Sequence, residues 1–278
     1  MTTGTTMADG RHPLRFMFDE AALRGVPAIP VTCMDRYLPY QAAVRDIVRI
    51  GGCGVALRCR LDEMLDSDFA TRAGAFLTQL GTSIRDTDLI LDLGAPSFDA
   101  IDDLAELVAG LVAGPGLVTE ARSRTVLATS FPESLAGFTG VRRVKRNEWL
   151  LFKAILAKLA DDATPPAFGD YAISSTRFPQ GDMRKLTVMA NVRYTSDDEW
   201  LVGRGKEIRV HGRSQFRGIC DAIRNSDGFL PAGFSPGSQY LVACADGGST
   251  GGSSTWNWVG INHHITKVVH DLAILSEP

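Results

Sequence analysis

Four short apolar runs, each followed by residues of helical spacing, organise the first half of the chain. They span 28–36 (AIPVTCMDR), 54–60 (GVALRCR), 88–94 (DLILDLG) and 124–132 (RTVLATSFP). Runs that are apolar on both faces suit strands covered on both sides, and the segments between them are long enough for crossover helices. Three apolar stripes have helical spacing: Ala43, Val44, Ile47 and Val48; then Phe69, Ala73, Phe76, Leu77 and Leu80; then Ile101, Leu104, Ala105, Val108, Leu111 and Val112. The strand starts Val31, Val55, Leu89 and Val126 lie 24, 34 and 37 residues apart. This βα spacing predicts a barrel or an open doubly wound sheet. The carboxyl ends of parallel strands carry the chemistry in such folds, so Asp35, Arg58, Arg60, Asp92 and Ser130 fall where a site is expected.

Beyond Pro132 the pattern changes. Trp149, Phe152, Ile155, Leu156 and Leu159 predict a helix that ends before Pro165-Pro166, because a residue preceding proline avoids the α region. Residues 169–174 (GDYAIS) read as a short strand. Residues 186–195 (LTVMANVRYT) alternate, with Val188, Ala190, Val192 and Tyr194 on one face, and Ser196-Asp197-Asp198 turns the chain into Trp200, Leu201 and Val202. That is the pattern of an antiparallel hairpin. Phe216, Ile219, Cys220 and Ile223 mark a helix, residues 240–245 a strand, and Ile265, Val268, Val269 and Leu272 a last helix with Asn262 as its N-cap. The GGSTGGSS stretch at 247–254 reads as a loop, either a mobile lid or plain surface.

Composition narrows the class without naming a reaction. With 278 residues, 45% hydrophobic and 22% charged, the chain can bury one large α/β core or two smaller ones. A net charge of −3 gives no global positive field, although a local basic cleft is compatible with it. No apolar run approaches a bilayer span, the N-terminal MTTGTTMADGRH lacks the apolar core of a secretory signal, and the five cysteines sit mostly in apolar segments without a CxxC pair. These features predict a cytoplasmic protein with no membrane partner and no structural zinc. Nucleotide-loop, zincin and serine-elbow motifs are absent, so the cofactor is left unknown, with a carboxylate-held Mg²⁺ open.

Several residues carry chemistry. Arg58 and Arg60 point to the same face of their strand, forming either a clamp for phosphate or carboxylate or an ion pair with Asp92 or Glu63. Asp92 closes an apolar strand and needs an arginine, a metal or a substrate beside it. The basic stretch Arg142, Arg143, Lys145, Arg146 is a solvated face or a phosphate-facing patch, while Arg146, Glu148 and Trp149 begin the next helix. His263 and His264 fall in the first turn of the predicted last helix. There a histidine either meets an anion and works as acid or base, or packs against Trp256 or Trp258.

Five short motifs occur in register along the chain: Ser130-Phe131-Pro132; Arg146-Asn147-Glu148-Trp149; Gly169-Asp170-Tyr171; Val192-Arg193-Tyr194-Thr195 with Trp200 and Arg204-Gly205; and Asn262-His263-His264-Ile265. Together they resemble the motifs of the Beta protein family, named after a phage T4 protein. The resemblance implies a TIM-like βα barrel, association with phage or mobile elements, and shared special residues, without attaching a reaction. It adds Arg146, Tyr171 and Trp200 to the candidate substrate-binding residues. Members of that family carry further βα units ahead of the segment matching 28–36. The expectation is therefore a barrel lacking N-terminal units, with a hairpin inserted in its C-terminal half. Residues 1–27 form a poorly ordered or partner-contacting segment, and residues 28–278 a single barrel-like domain. An incomplete barrel exposes an edge, which predicts a second copy or another protein over it, or further units encoded upstream.

Two functions fit these residues. The first is a hydrolase or lyase acting on an anionic, phosphate-bearing small molecule or nucleic-acid end. Arg58, Arg60 and Arg193 hold the anion, Asp92, Glu148 or Asp170 serves as base or metal ligand, and His263 serves as acid. The second is a non-catalytic binding protein of a phage or defence locus, whose arginines recognise nucleic acid or an acidic partner.

Overall fold

The four apolar runs become β1 (Val31–Thr32), β2 (Val55–Arg60), β3 (Thr87–Gly94) and β4 (Ser123–Ala128). The structure, a computed structural model, describes residues 6–177 and 187–275. They group into two units, one of residues 6–94, 99–128 and 151–169, the other of residues 95–98, 129–150 and 170–275.

In the first unit β1 to β4 pair in parallel, and β6 (Ala167–Asp170) completes a five-stranded sheet in the order β1-β2-β3-β4-β6. The register sets Leu57 beside Leu89, Cys59 beside Leu91 and Leu91 beside Val126, all buried. The helix α1 (Pro13–Leu23) precedes the first strand, and between the strands run α2 (Leu38–Gly51), α3 (Leu61–Met64), α4 (Phe69–Leu80), α5 (Ile101–Ala113) and α6 (Leu117–Glu120). The predicted stripes of α2 (Ala43, Val44, Ile47 and Val48) and α4 (Phe69, Ala73, Phe76, Leu77 and Leu80) are buried throughout, and that of α5 is buried at Ala105, Val108 and Val112 and half-buried at Ile101, Leu104 and Leu111. The helix α7 (Asn147–Lys158) also follows its predicted pattern.

The TIM-like barrel does not form, because the sheet is not closed. Its strand order follows chain order without the reversal of a doubly wound sheet, but five strands fall short of the eight a barrel of this kind needs. The order leaves β1 and β6 as its edges. Val31 in β1 is 44% exposed.

The second unit is built on an antiparallel sheet of order β5-β8-β7. The predicted hairpin forms as β7 (Met189–Thr195) and β8 (Glu199–Glu207), with Thr195 opposite Trp200; Leu186, where the alternating pattern starts, lies outside the described residues. Its third strand, β5 (Gly140–Lys145), is the basic stretch itself. Charged residues on an edge strand keep it solvated, and Arg143 pairs with Glu199 at 2.8 Å. On one face of this sheet Ala190, Val192, Tyr194 and Leu201 pack with Phe216, Cys220 and Ile223 of α9 (Gln215–Arg224), Leu241 and Cys244 of α10 (Pro236–Ala245), and Trp256 and Val259 of α11 (Ser253–Leu275). On the other, Trp200 and Val202 pack with Phe131 and Leu135. A single helical turn, α8 (Ile208–His211), follows β8.

Three local expectations are corrected here. Residues 240–245 are helical, because Pro236 occupies the first turn of α10 and Ser235 caps it by accepting from the Ser238 N–H at 3.0 Å. The strand expected at 169–174 is β6, which ends at Asp170. The last helix starts at Ser253, nine residues before Asn262, so His263 and His264 lie in its middle and meet no free N-terminal N–H groups. Its buried stripe runs through His263, Lys267 and Asp271, polar residues that an apolar-periodicity reading passes over.

Candidate functional site

In the first unit the ends of β2 and β3 bring Arg58, Arg60 and Asp92 together. Arg60 and Asp92 are cross-strand partners. The Arg58 guanidinium donates from Nε to Asp92 at 2.7 Å, and buried Asp92 also accepts from the Gly94 N–H at 2.9 Å. Arg60 is exposed and pairs with Asp62 at 3.2 Å, while its N–H donates to Glu63. The Arg58–Asp92 geometry is thus an ion pair.

In the second unit the residues drawn from all five motifs meet in a buried network. Asp170, at the end of β6, accepts from His264 Nε2 at 2.7 Å, and the His264 Nδ1 side meets the Thr195 hydroxyl at 2.9 Å. Burial pushes the Asp170 carboxyl up, but the imidazole beside it outweighs this and holds it below the usual range. The order hydroxyl, imidazole, carboxylate is that of a hydrolytic triad, yet Thr195 is fully buried and no acyl or phosphoryl group can reach its oxygen. His263 lies against the Tyr194 ring at 3.8 Å. Its Nε2 is 2.8 Å from the Thr195 carbonyl and its Nδ1 3.1 Å from the hydroxyls of Ser235 and Ser238. Burial lowers its pKa to about 4, so the imidazole is neutral at pH 7 and is a poor proton donor.

Arg146 is fully buried. It donates to the carbonyls of Ser196 and Asp197 and to Asp271 at 3.3 Å, while Asp271 is also bound by Lys267. Glu148 accepts from the Ser130 N–H and hydroxyl, the latter at 2.6 Å. Burial pushes its carboxyl pKa up. Its second oxygen stands 3.9 Å from Arg146 Nε, and neither atom has a hydrogen-bond partner among the described residues. Trp200, also fully buried, packs edge-on to Phe131 and lies in the core, so its expected contact with substrate has no surface on which to occur.

Beside this network opens a cavity of about 500 Å³, lined by Phe131, Glu133, Ile173, Arg177, Asn191, Arg193, Arg204 and Asn257 among others. Its position follows from the chain: Phe131 is next to Ser130, and Arg193 is two residues before Thr195 on β7. Arg193 is mostly buried, donates to the Ile173 carbonyl at 2.8 Å and lies over the Phe131 ring; burial lowers its pKa. No carboxylate pairs with it or with Arg204 among the described residues. The one acidic side chain in the lining, Glu133, is taken by Arg177 at 3.0 Å. Asn191 stands directly opposite Arg204 in the ladder. The backbone between Asp170 and this cavity is strained: Ala172, after half-buried Tyr171, has φ 52°, the only positive value for a non-glycine among the described residues.

Of the expected second-unit residues, Arg146, Glu148, Asp170 and His263 join the buried network, and Arg193 faces the cavity. His264 was weighed beside His263, and Thr195 and Arg204 stood in the quoted motifs without a role, whereas Lys267, Asp271, Asn191 and Arg177 were not among the candidates. The signal for Asn191 and Arg204 lay in the polar face of the hairpin, where Asn191 and Arg193 alternate with buried Ala190, Val192 and Tyr194. Among the described residues no group of three or more His, Cys, Asp or Glu side chains is placed to hold a metal ion, and no helix is long and apolar enough to cross a membrane.

A family model described as Beta protein matches residues 2–270. No curated protein and no solved structure matches the chain. The chain belongs to the Beta protein family.

Proposed function

We propose that this member of the Beta protein family is a non-catalytic binding protein that takes an anionic, phosphate-bearing ligand in the cavity of its second unit. The observation that carries this reading is Arg193, a largely buried guanidinium that faces a cavity and has no carboxylate partner among the described residues. A buried charge without a counterion is unfavourable, and an arriving phosphate supplies the counterion through bidentate hydrogen bonds. Arg204 adds a second guanidinium without a carboxylate partner among the described residues, and a concave cavity of about 500 Å³ has the size of a small-molecule site.

The hydrolase or lyase reading loses support because its acid and base candidates in this unit, Glu148, Asp170 and His263, are buried and bound to neighbours, and none lines the cavity. Calorimetric titration with inorganic phosphate and pyrophosphate tests the proposal. Binding that weakens as salt rises and is lost in the Arg193→Gln, Arg204→Gln double variant is the expected result. No binding of either anion overturns the pocket assignment, and turnover of a phosphate ester overturns the non-catalytic one.

A further inference from the structure

The basic cavity does not end at its arginines. Asn191, Arg193 and Asn257 also line a second recess of about 100 Å³, whose remaining walls include Phe216, Trp256 and Ile208. A ligand seated on Arg193 and Arg204 therefore has an apolar, aromatic-walled space directly alongside. Between the two spaces stands Asn191. Its side-chain N–H donates to the Met189 carbonyl at 3.2 Å, which fixes the direction of the amide, and its Oδ1 is buried and accepts no hydrogen bond among the described residues. A buried acceptor left unsatisfied costs about 1–3 kcal/mol, so this position calls for a donor from whatever fills the recess.

From this juxtaposition of two guanidiniums without a carboxylate, an apolar recess and an amide oxygen without a donor, all among the described residues, and resting on the anion-binding reading above, we infer that the ligand is a nucleotide whose base carries an exocyclic amino group. The phosphate sits on Arg193 and Arg204, the flat ring enters the recess, and the amino N–H donates to Asn191 Oδ1. Inorganic phosphate alone leaves the amide oxygen unanswered and the recess empty.

The test is a binding panel on the intact protein: inorganic phosphate, ribose 5-phosphate, purine riboside 5′-monophosphate, AMP, GMP and CMP. At least one of the three amino-bearing nucleotides is expected to bind about tenfold or more tightly than both purine riboside 5′-monophosphate and ribose 5-phosphate, since a site built around a hydrogen bond discriminates against an analogue lacking it. Asn191→Ala is expected to remove that preference, bringing the amino-bearing nucleotides down to the affinity of purine riboside 5′-monophosphate. If Asn191→Ala fails to fold, the wild-type panel decides by itself. Equal affinity for all the phosphate esters overturns the nucleotide inference and leaves the anion reading standing. Failure of every compound, inorganic phosphate included, overturns both.

Discussion

Arg193 lies across the ring of Phe131, its guanidinium carbon 4.9 Å from the ring centroid, held there by a cation–π contact and one hydrogen bond to a carbonyl. This arrangement positions a charge better than it stabilises a fold. Replacing a buried charge that has no carboxylate partner among the described residues with an apolar side chain of similar size removes its desolvation cost and is neutral or stabilising. Arg193→Met is therefore expected to raise the urea midpoint of the unliganded protein by about 1 kcal/mol equivalent, while abolishing phosphate binding. A fall of more than about 2 kcal/mol would show that Arg193 serves the core instead.

Asp170 and His264 behave in the opposite way, because each is the other's buried partner at 2.7 Å. His264→Ala leaves the Asp170 carboxylate buried without its donor and is expected to cost about 3–5 kcal/mol. Adding Asp170→Asn should recover part of that loss. Chemical denaturation of the two single variants and the double variant measures the coupling, and simple additivity would contradict the pairing.

His263 gives the stability a pH dependence of definite sign. Its pKa is 6.5 in the unfolded reference and about 4 in the fold, so the unfolded chain takes up a proton that the native state refuses. The contribution is complete above about pH 6.5 and is lost progressively as pH falls toward 4, by about 1.4 kcal/mol per unit. Asp170, held low, loses stability in the same direction at lower pH, whereas the raised Glu148 carboxyl acts in the opposite sense. The difference between wild type and His263→Gln isolates the histidine: their free-energy gap should shrink by about 2 kcal/mol between pH 7 and pH 5 in urea titrations. A pH-independent gap would contradict the assignment.

Gly260 of α11 packs directly against two residues of the cavity wall, Ile173 and Arg193. A Cβ there would stand 2.6 Å from Ile173 Cδ1 and 3.1 Å from the Arg193 carbonyl oxygen. Gly260→Ala is expected to destabilise by about 1–3 kcal/mol through overpacking and to weaken phosphate binding, because β7 and the Ile173 turn must shift to admit the methyl. Unchanged affinity with reduced stability would separate this packing from the pocket.

In the first unit, Gly54 has φ +71° and an added Cβ would meet the Asp86 carbonyl at 2.0 Å. Gly54→Ala combines backbone strain with a clash against main chain, which cannot give way as a flexible side chain does. A loss of at least about 2 kcal/mol in thermal or chemical unfolding is the expected outcome.

The amino-acid order by itself determined the parallel strands, the helices α2, α4, α5, α7 and α9, and the hairpin. All of these rest on local periodicity: Phe69 to Leu80 repeat every turn, and Ala190, Val192 and Tyr194 repeat every second residue. Tertiary structure decided that the parallel sheet stays open, because closure depends on how many strands find neighbours. It also decided that β5 is a strand despite its charges and that α11 begins at Ser253. The buried network could not be read ahead, since Lys267 and Asp271 look like solvated helix residues until Arg146, over a hundred positions earlier, is folded beside them. The same holds for the cavity: that Arg193 has no carboxylate partner among the described residues is a property of its surroundings in space, and no spacing along the chain encodes it.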